Sequence, residues 1–429
     1  MPDRFKHSRG FHKKTLTERQ RWLIEHRILD QEDVDYLQQS ICHPSTDIID
    51  AMIENVIGHF HLPIGIVPYI CVNNQTYTVP LVVEETSIVA ALNKTSKALK
   101  HAGGSLCADY SGPTITGQIV FSRMPSIAVK AIKELVKSEM DHWIQSLKQG
   151  LLKGIDQRGG GLNGWSFKTY PMEDGSLYMA SLFIQLNSVD AMGANLITQT
   201  AEWIGQQIQT SIAHKPLFSI VCNHSELAMV DVHCDYPMTH EIGQKIADAS
   251  WFATQDVARA STHNKGIMNA IDGLMIATGN DWRAVESAMH THASISGQYQ
   301  PLSRWNYDQG YLKGHMQVPI QIGTVGGVTG IHPDAQLCLK MLDINSSSEL
   351  AMIAGSIGLL QNLAALTALV DDGITAGHMR LHIDNLMLAC QANEQERHQL
   401  KPILTHHLKQ HRSLSKNDVM NYLQQLTSS

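Results

Sequence analysis

Cysteine is scarce and unpaired in this sequence. The seven cysteines stand singly at positions 42, 71, 107, 222, 234, 338 and 390. With no CxxC and an odd count, a disulfide framework or a zinc knuckle is excluded as the organising device, and a reducing cytoplasm is expected. An excess of positive charge is also missing: 33 Lys and Arg face 40 Asp and Glu, a net charge of -7. That argues against nucleic acid as the main partner. The opening MPDRFKHSRGFHKK has no apolar core of the kind a signal peptide needs. Long apolar runs are absent but for one, Leu350 to Val370. It stands alone without basic flanks and carries alanines at 351, 354, 364, 365 and 368, so it reads as a buried core helix rather than a membrane span. Ser346 and Glu349 form a capping box at its start.

What is present is a globular composition, 43% hydrophobic and 17% charged. At 429 residues the chain is too long for one core, so two or three domains are expected. Residues 15–58 read as polar amphipathic helices, followed by a turn-rich stretch through Leu62, Pro63 and Gly65. Tyr77 to Val83 alternates like a strand, and Ser87 to His101 reads as a helix stopped by Gly103 and Gly104. Thr114 to Phe121 is a strand. Pro125 then opens a long amphipathic helix with Ile127, Ile132, Leu135 and Trp143 on its apolar face. Two strands flank Asp174-Gly175, a hairpin signal. A helix over Ala191 to Ile212 and a strand over Leu217 to Cys222 complete a β-α-β-β-α-β order, the ferredoxin-like arrangement. Beyond Thr239, helices and glycine-containing loops dominate. A polar segment, Glu394 to Ser429, reads as a helical appendage.

Several segments carry chemistry-bearing residues. GGGLNG (Gly159 to Gly164) fits the GxGxxG pattern, but a strand signal follows it where a helix should, so it reads as a loop. DAMGAN (Asp190 to Asn195) lies between a strand and a helix. Asp190 there is either a helix cap with Gly193 a packing glycine, or Gly193 admits a phosphate to the helix end. THNKGIMN (Thr262 to Asn269) and ATGNDWRAVE (Ala277 to Glu286) set Lys265 and Asp281 among small and amide residues in glycine-flanked loops. A lysine beside a carboxylate can stabilise an oxyanion and supply a proton. VVEETSIVA (Val82 to Ala90) places two acids after a strand. HMRLH (His378 to His382) sets two imidazoles one helical turn apart, but no acid stands at metal-binding spacing, so no metal is expected. His406, His407 and His411 mark a solvated helix.

Taken together, ENVIG (Glu54 to Gly58), VEETSIVA, DAMGAN, THNKGIMN, GNDWRAVE, GGVTGIHPDAQ (Gly326 to Gln336) and GHMRLH closely resemble the soluble prokaryotic (class II) form of the 3-hydroxy-3-methylglutaryl-coenzyme A (HMG-CoA) reductase family. The resemblance runs from about Arg9 to the C-terminal appendage. It implies an α+β fold in which a mainly helical large substrate-binding domain (1–111 and 223–374) is interrupted by a small ferredoxin-like cofactor domain (112–222). A C-terminal helical flap (375–429) follows.

It also implies a two-step reduction of the HMG-CoA thioester to mevalonate and CoA with two NADH or NADPH, or the reverse oxidation. The implied catalytic residues are Glu85 (proton delivery), Lys265 (oxyanion), Asp281 (organising the other two) and His378 (protonating the CoA thiolate). Substrate contacts fall on Ser87, Arg259 and Asn269, and the dinucleotide on Asp190, Ala191, Met192, Gly193, Ala194 and Asn195. The implied assembly is a homodimer, or a set of dimers, with sites at the interface near ENVIG.

Three departures stand out. LHIDN replaces the common LHARN, so Asp384 stands for a basic residue, and Ala270 stands where a Gly is common. Asn163 and Gly164 occupy the place where NADH-preferring relatives carry an acid, with Arg158 upstream, which leaves the choice of nicotinamide open. Two other readings of the chain are a lyase or aldolase forming a Schiff base on Lys265, and a non-catalytic CoA-ligand-binding relative.

Overall fold

The computed structural model describes residues 10–38, 46–173, 175–224, 226–371, 383–411 and 413–427. Near the N-terminus, α1 (Leu16–Glu25), α2 (Gln31–Gln38) and α3 (Thr46–Met52) precede the sheets. Thr15 and Glu18 close a reciprocal capping box on α1. Trp22, Leu23 and Val34 then pack with Leu337 and Met341 from the far end of the sequence.

The chain continues as a two-stranded antiparallel ribbon, β1 (Ile64–Val72) and β2 (Gln75–Val82), and a helix, α4 (Ile88–His101). β1 lies where a turn-rich stretch was expected. Pro63 and Gly65 mark only its entrance, and the apolar run behind them pairs along β2.

A second unit contains β4 (Thr114–Pro125), α5 (Ser126–Gln149), β5 (Gly161–Pro171), β6 (Leu177–Asn187), α6 (Ala194–Ile212) and β7 (Phe218–Cys222). Its strands lie in the order β5-β6-β4-β7, all antiparallel. This is the ferredoxin-like order. It has its own core, in which Ile132, Val136, Met140 and Trp143 of α5 and Ile197, Ala201, Ile204 and Ile208 of α6 cover one face of the sheet. Ile127, expected on the apolar face of α5, is instead exposed.

The remaining large part holds β3 (Ser105–Tyr110), β8 (Met229–Pro237), α7 (His240–Gln255), α8 (Val257–Ala277), α9 (Trp282–Ser294), β9 (Ser303–Asp308), β10 (Tyr311–Pro319), α10 (Pro333–Leu342) and α11 (Ser347–Val370). Four of its strands form an antiparallel sheet in the order β3-β8-β10-β9. None of its strands was expected from the sequence: helices and loops were expected where β9 and β10 lie, and β3 and β8 fall in stretches given no element. Its strands alternate strictly, with buried Val230, Val232, Leu312 and Met316 against exposed polar neighbours.

The apolar segment flagged for its length is the axis of the fold. Helix α11 is apolar on all sides and buried over most of its length, packed between the sheet and α8. By length and composition it could cross a membrane, but its apolar faces are spent on protein. Close approach depends on Gly355, where a Cβ would lie 2.7 Å from Val230. Ser346 accepts from the Glu349 N–H, while Glu349 reaches the Asn345 N–H, so the cap is only half of a capping box.

A last cluster joins Ile383 and Met387 to α12 (Glu394–His411) and α13 (Lys416–Thr427) around Leu400, Leu404 and Val419.

Candidate active site

Lys265 does not sit in a glycine-flanked loop. It lies mid-way along α8, a 21-residue helix that Asp256 caps by accepting from the Arg259 N–H at 2.6 Å. Gly273 there lets the helix approach β2, since a Cβ would lie 2.8 Å from Val83 and 3.5 Å from Leu81, whereas a Cβ on Gly266 would meet Ala365 of α11 at an ordinary 3.8 Å. The residues on either side of Lys265 are locked inward. The Asn264 side chain donates to the Gln300 carbonyl and accepts from the Leu302 N–H. His263 shares a 2.7 Å hydrogen bond with Ser303, and burial, aided by the Arg259 charge, holds its imidazole down to about 4. Ser303 and the Trp305 indole both donate to Asn362, one of the few polar residues of α11. This buried network fixes the rotation of α8, so that Lys265, Asn269, Asp272 and Ile276 share one outward stripe.

On that stripe the Lys265 ammonium donates to Glu85 Oε2 at 2.7 Å. Glu85 comes from the turn between β2 and α4. Two residues on, Ser87 adopts a left-handed backbone (φ 79°) and buries its hydroxyl with no hydrogen-bond partner among the described residues. Arg259, in the first turn of α8, is half-buried and has no carboxylate partner among the described residues. Two turns past Lys265, burial and the facing Glu286 of α9 push the Asp272 carboxyl up to about 8. One of its oxygens has no partner.

Asp281 occupies a different place. It caps α9, accepting from the Ala284 N–H at 3.0 Å, and lies 4.0 Å from the Arg283 guanidinium. Its turn is pinned to the end of α8, where the Asn280 N–H donates to the Met275 carbonyl. Met275 is ten residues, about 15 Å, along the helix from Lys265. Within one chain, therefore, Lys265 is paired with Glu85 while Asp281 stands at the far end of α8.

Asp281 instead neighbours the DAMGAN segment. The Asn280 amide donates to and accepts from the backbone of Gly323. Gly323 in turn lies against DAMGAN so closely that a Cβ would meet the Met192 nitrogen at 2.5 Å. Gln321 donates to the Met192 carbonyl, and the Thr324 N–H donates to the Asp190 carbonyl. Asp190 does cap a helix, but not the one that follows it. Its carboxylate accepts from the Ser347 N–H in the first turn of α11.

The helix after DAMGAN starts at Ala194, not Ala191. Its N-cap is Gly193 with φ 88° and no side-chain cap, and its first turn carries no acid. An uncapped, unneutralised helix start of this kind suits a phosphate. Gln321 and Gly323 were not singled out in the sequence. Their signal was the run of small residues after a strand, QIGTVGG.

GGGLNG is not the loop expected: Gly159 and Gly160 form the turn, and Gly161 to Gly164 are already the start of β5, paired with β6, with no strand-to-helix crossing. Its Gly160 packs on Asn187 and Val189, which brings Arg158 into the neighbourhood of DAMGAN. Asp384, the departure in LHIDN, pairs with Lys401 of α12 at 2.7 Å. His378 lies outside the described residues.

The chain matches the family model for hydroxymethylglutaryl-coenzyme A reductase over residues 15–383. It is 34% identical to the 3-hydroxy-3-methylglutaryl-coenzyme A reductase of Archaeoglobus fulgidus, across 90% of this chain and 88% of that protein. It is 33% identical to a probable reductase of the same name from Borreliella burgdorferi, across 89% and 86%. Among solved structures, it superposes on the Streptococcus pneumoniae reductase with a TM-score of 0.80 at 34% identity, covering 98% of this chain and 99% of that one. A class II reductase structure from that organism, bound to NADPH in open conformations, gives 0.79 at 36% identity over 85% of this chain and 100% of that one. The order of motifs, the fold and these matches agree: the chain belongs to the hydroxymethylglutaryl-coenzyme A reductase family of nicotinamide-dependent oxidoreductases.

Proposed function

We propose that the chain's HMG-CoA reductase activity runs at sites shared between two copies of the chain. One copy supplies Glu85 and Lys265, and the other supplies Asp281 and the DAMGAN segment. The observation that carries this is the separation along α8: the acid and base of one half-site sit some three helical turns from the carboxylate and cofactor segment of the other. An antiparallel two-fold pairing would bring the two ends together. Exposed apolar side chains are consistent with such a pairing: Ile53, Ile57 and Phe60 around ENVIG, and Val257 and Ile276 on α8.

In the reaction, one thioester, two reduced nicotinamides and two protons give mevalonate, CoA and two oxidised nicotinamides. Bound nicotinamide supplies the hydride, and the uncapped start of α6 with Gly193 would hold its phosphates. Lys265 would face the carbonyl oxygen and stabilise the charge that develops there, first on the thioester and then on the aldehyde. Glu85, already within 2.7 Å of the ammonium, would pass a proton through it. Asp281 would complete that pair from the second chain. His378 would protonate the departing thiolate. Arg259, with no carboxylate partner among the described residues, and Ser87, whose hydroxyl has no hydrogen-bond partner among them, suit the free carboxylate of the substrate, with Asn269 beside them. The C-terminal helices would act as a flap, inside which Asp384 is tied to Lys401.

A Schiff-base lyase is not favoured. Lys265 is exposed and ion-paired rather than desolvated in an apolar pocket. A non-catalytic role is not favoured either, since the reductase match runs through every catalytic segment.

Arg158 suits a ribose 2'-phosphate, and Asp156 two residues before it is already ion-paired with Lys148 at 2.9 Å, so NADPH is taken as the preferred cofactor. The test is nicotinamide absorbance on mixing purified protein with HMG-CoA and each cofactor. HMG-CoA-dependent oxidation is expected, with the higher kcat/KM for NADPH. No oxidation with either would refute the proposal, and a clear preference for NADH would refute the cofactor assignment.

A further inference from the structure

We propose that the outer face of the β3-β8-β10-β9 sheet carries a binding site for a borderline divalent cation of the Zn²⁺ class, held by Asp231, His233 and His315. Asp231 and His233 alternate onto the same face of β8, and His315 lies directly opposite His233 on β10. The two imidazoles stack with ring centres 4.6 Å apart. Both turn Nε2 toward one oxygen, Asp231 Oδ1, at 3.2 Å from His233 and 2.7 Å from His315. One donor atom from each of the three residues falls in a group no more than 4.8 Å across. A tetrahedral ion with ligands at about 2.0–2.2 Å sets its donors about 3.3–3.6 Å apart, so small rotamer changes would complete the geometry.

The surroundings favour a cation there. Asp109 of β3 stands directly opposite Asp231 in the ladder, and Asp235 follows on the same face of β8. Like charges facing one another across strands oppose pairing unless something neutralises them. Of the basic residues on this face, Lys313 is tied to Asp308, and Arg304 lies opposite His315. Cys107 lies opposite His233, but its thiol is outside the converging group, so the fourth position faces solvent.

The platform is rigid. The reverse face of both strands, through Val230, Val232 and Met316, is buried against α11. Imidazole nitrogens with one carboxylate suit Zn²⁺ and its neighbours rather than Mg²⁺ or Ca²⁺. Since α8 lies on the other side of α11, the site is separate from Lys265 and Glu85.

The test uses the full chain stripped with a chelator and titrated with ZnCl₂ by calorimetry, alongside thermal melts with and without the metal. With 23 histidines in the chain, the controls decide the matter. Wild type is expected to bind one high-affinity equivalent and melt higher with Zn²⁺. His233→Ala and His315→Ala should weaken that equivalent on the order of 100-fold, since even losing an outer-shell partner costs about 10–100-fold. Both variants should melt like the metal-free wild type and keep its reductase activity. A His406→Ala/His407→Ala/His411→Ala variant should bind as wild type does. No saturable equivalent in wild type, or one that survives both sheet variants, overturns the proposal.

Discussion

Mixing two inactive variants measures where the halves of the active site come from. Lys265→Ala removes the group assigned to the oxyanion, and losing one such donor costs about 10²–10³ in kcat. Asp281→Ala removes the group assigned from the far end of α8, and a loss of similar size is expected. Neither change should unfold the chain. Lys265 and Glu85 form a half-exposed ion pair, worth roughly 0–1 kcal/mol. Asp281 is an exposed N-cap, worth about 1 kcal/mol.

If one site takes Lys265 from one copy and Asp281 from the other, a mixed dimer has one site with both residues and one with neither. Random reassortment makes half the dimers mixed, so about one quarter of wild-type activity should return. The assay is HMG-CoA-dependent nicotinamide oxidation after co-expression, or after dissociation and reassembly of the pair. If both residues served a site within one chain, no mixed dimer would hold an intact site, and activity would stay at the level of the separate variants. That outcome would refute the split site.

Three further outcomes follow from the same geometry. Asn362→Leu strips the acceptor from the buried Ser303 hydroxyl and Trp305 indole. At about 1–3 kcal/mol for each orphaned donor, urea unfolding should show a loss of about 2–6 kcal/mol. Asn280→Ala breaks both bonds to Gly323, on which DAMGAN rests, and steady-state kinetics should show the nicotinamide KM rising roughly tenfold, with a smaller change for HMG-CoA. Asp272 has its folded pKa raised to about 8 from 3.8, so its contribution to stability is full below about pH 3.8 and is lost as pH climbs toward 8. Melts of Asp272→Asn should therefore gain on wild type as pH rises from 5 to 8, by at most about 1.4 kcal/mol per unit; parallel curves would contradict the buried pairing with Glu286.

Much of the ferredoxin-like unit was legible because its helices and strands switch period cleanly and its hairpin carries Gly175 at φ 67°. The four-stranded sheet was not. Its outward residues, such as Asn306, Lys313, His315 and Gln317, are as polar as those of a loop. The buried alternates are spread over segments more than a hundred residues apart. Glycine misled in the same way at Lys265. A glycine in a loop and a glycine inside a helix look alike in the sequence, and the strand that Gly273 lies against, β2, is nearly two hundred residues upstream. Proximity in sequence also suggested that Lys265 and Asp281 were a pair. Sixteen residues would bridge easily in a loop, but most of them are helix here, and helix fixes distance.

That fixed distance gives the split site its physical sense. α8 is held rigidly from behind by α11 and by the His263–Ser303–Asn362 network, so it cannot bend Lys265 toward Asp281. Under the proposed pairing, this rigid spacer is completed when a second copy lies against it. Under that arrangement an isolated chain holds the oxyanion group and the cofactor segment too far apart for hydride to reach the carbon that Lys265 polarises. Assembly then becomes a condition of catalysis, and specific activity should fall on dilution below the dissociation constant of the pair. The exposed apolar residues around ENVIG would set that constant, so Ile57→Asp should lower activity most in dilute samples and least in concentrated ones.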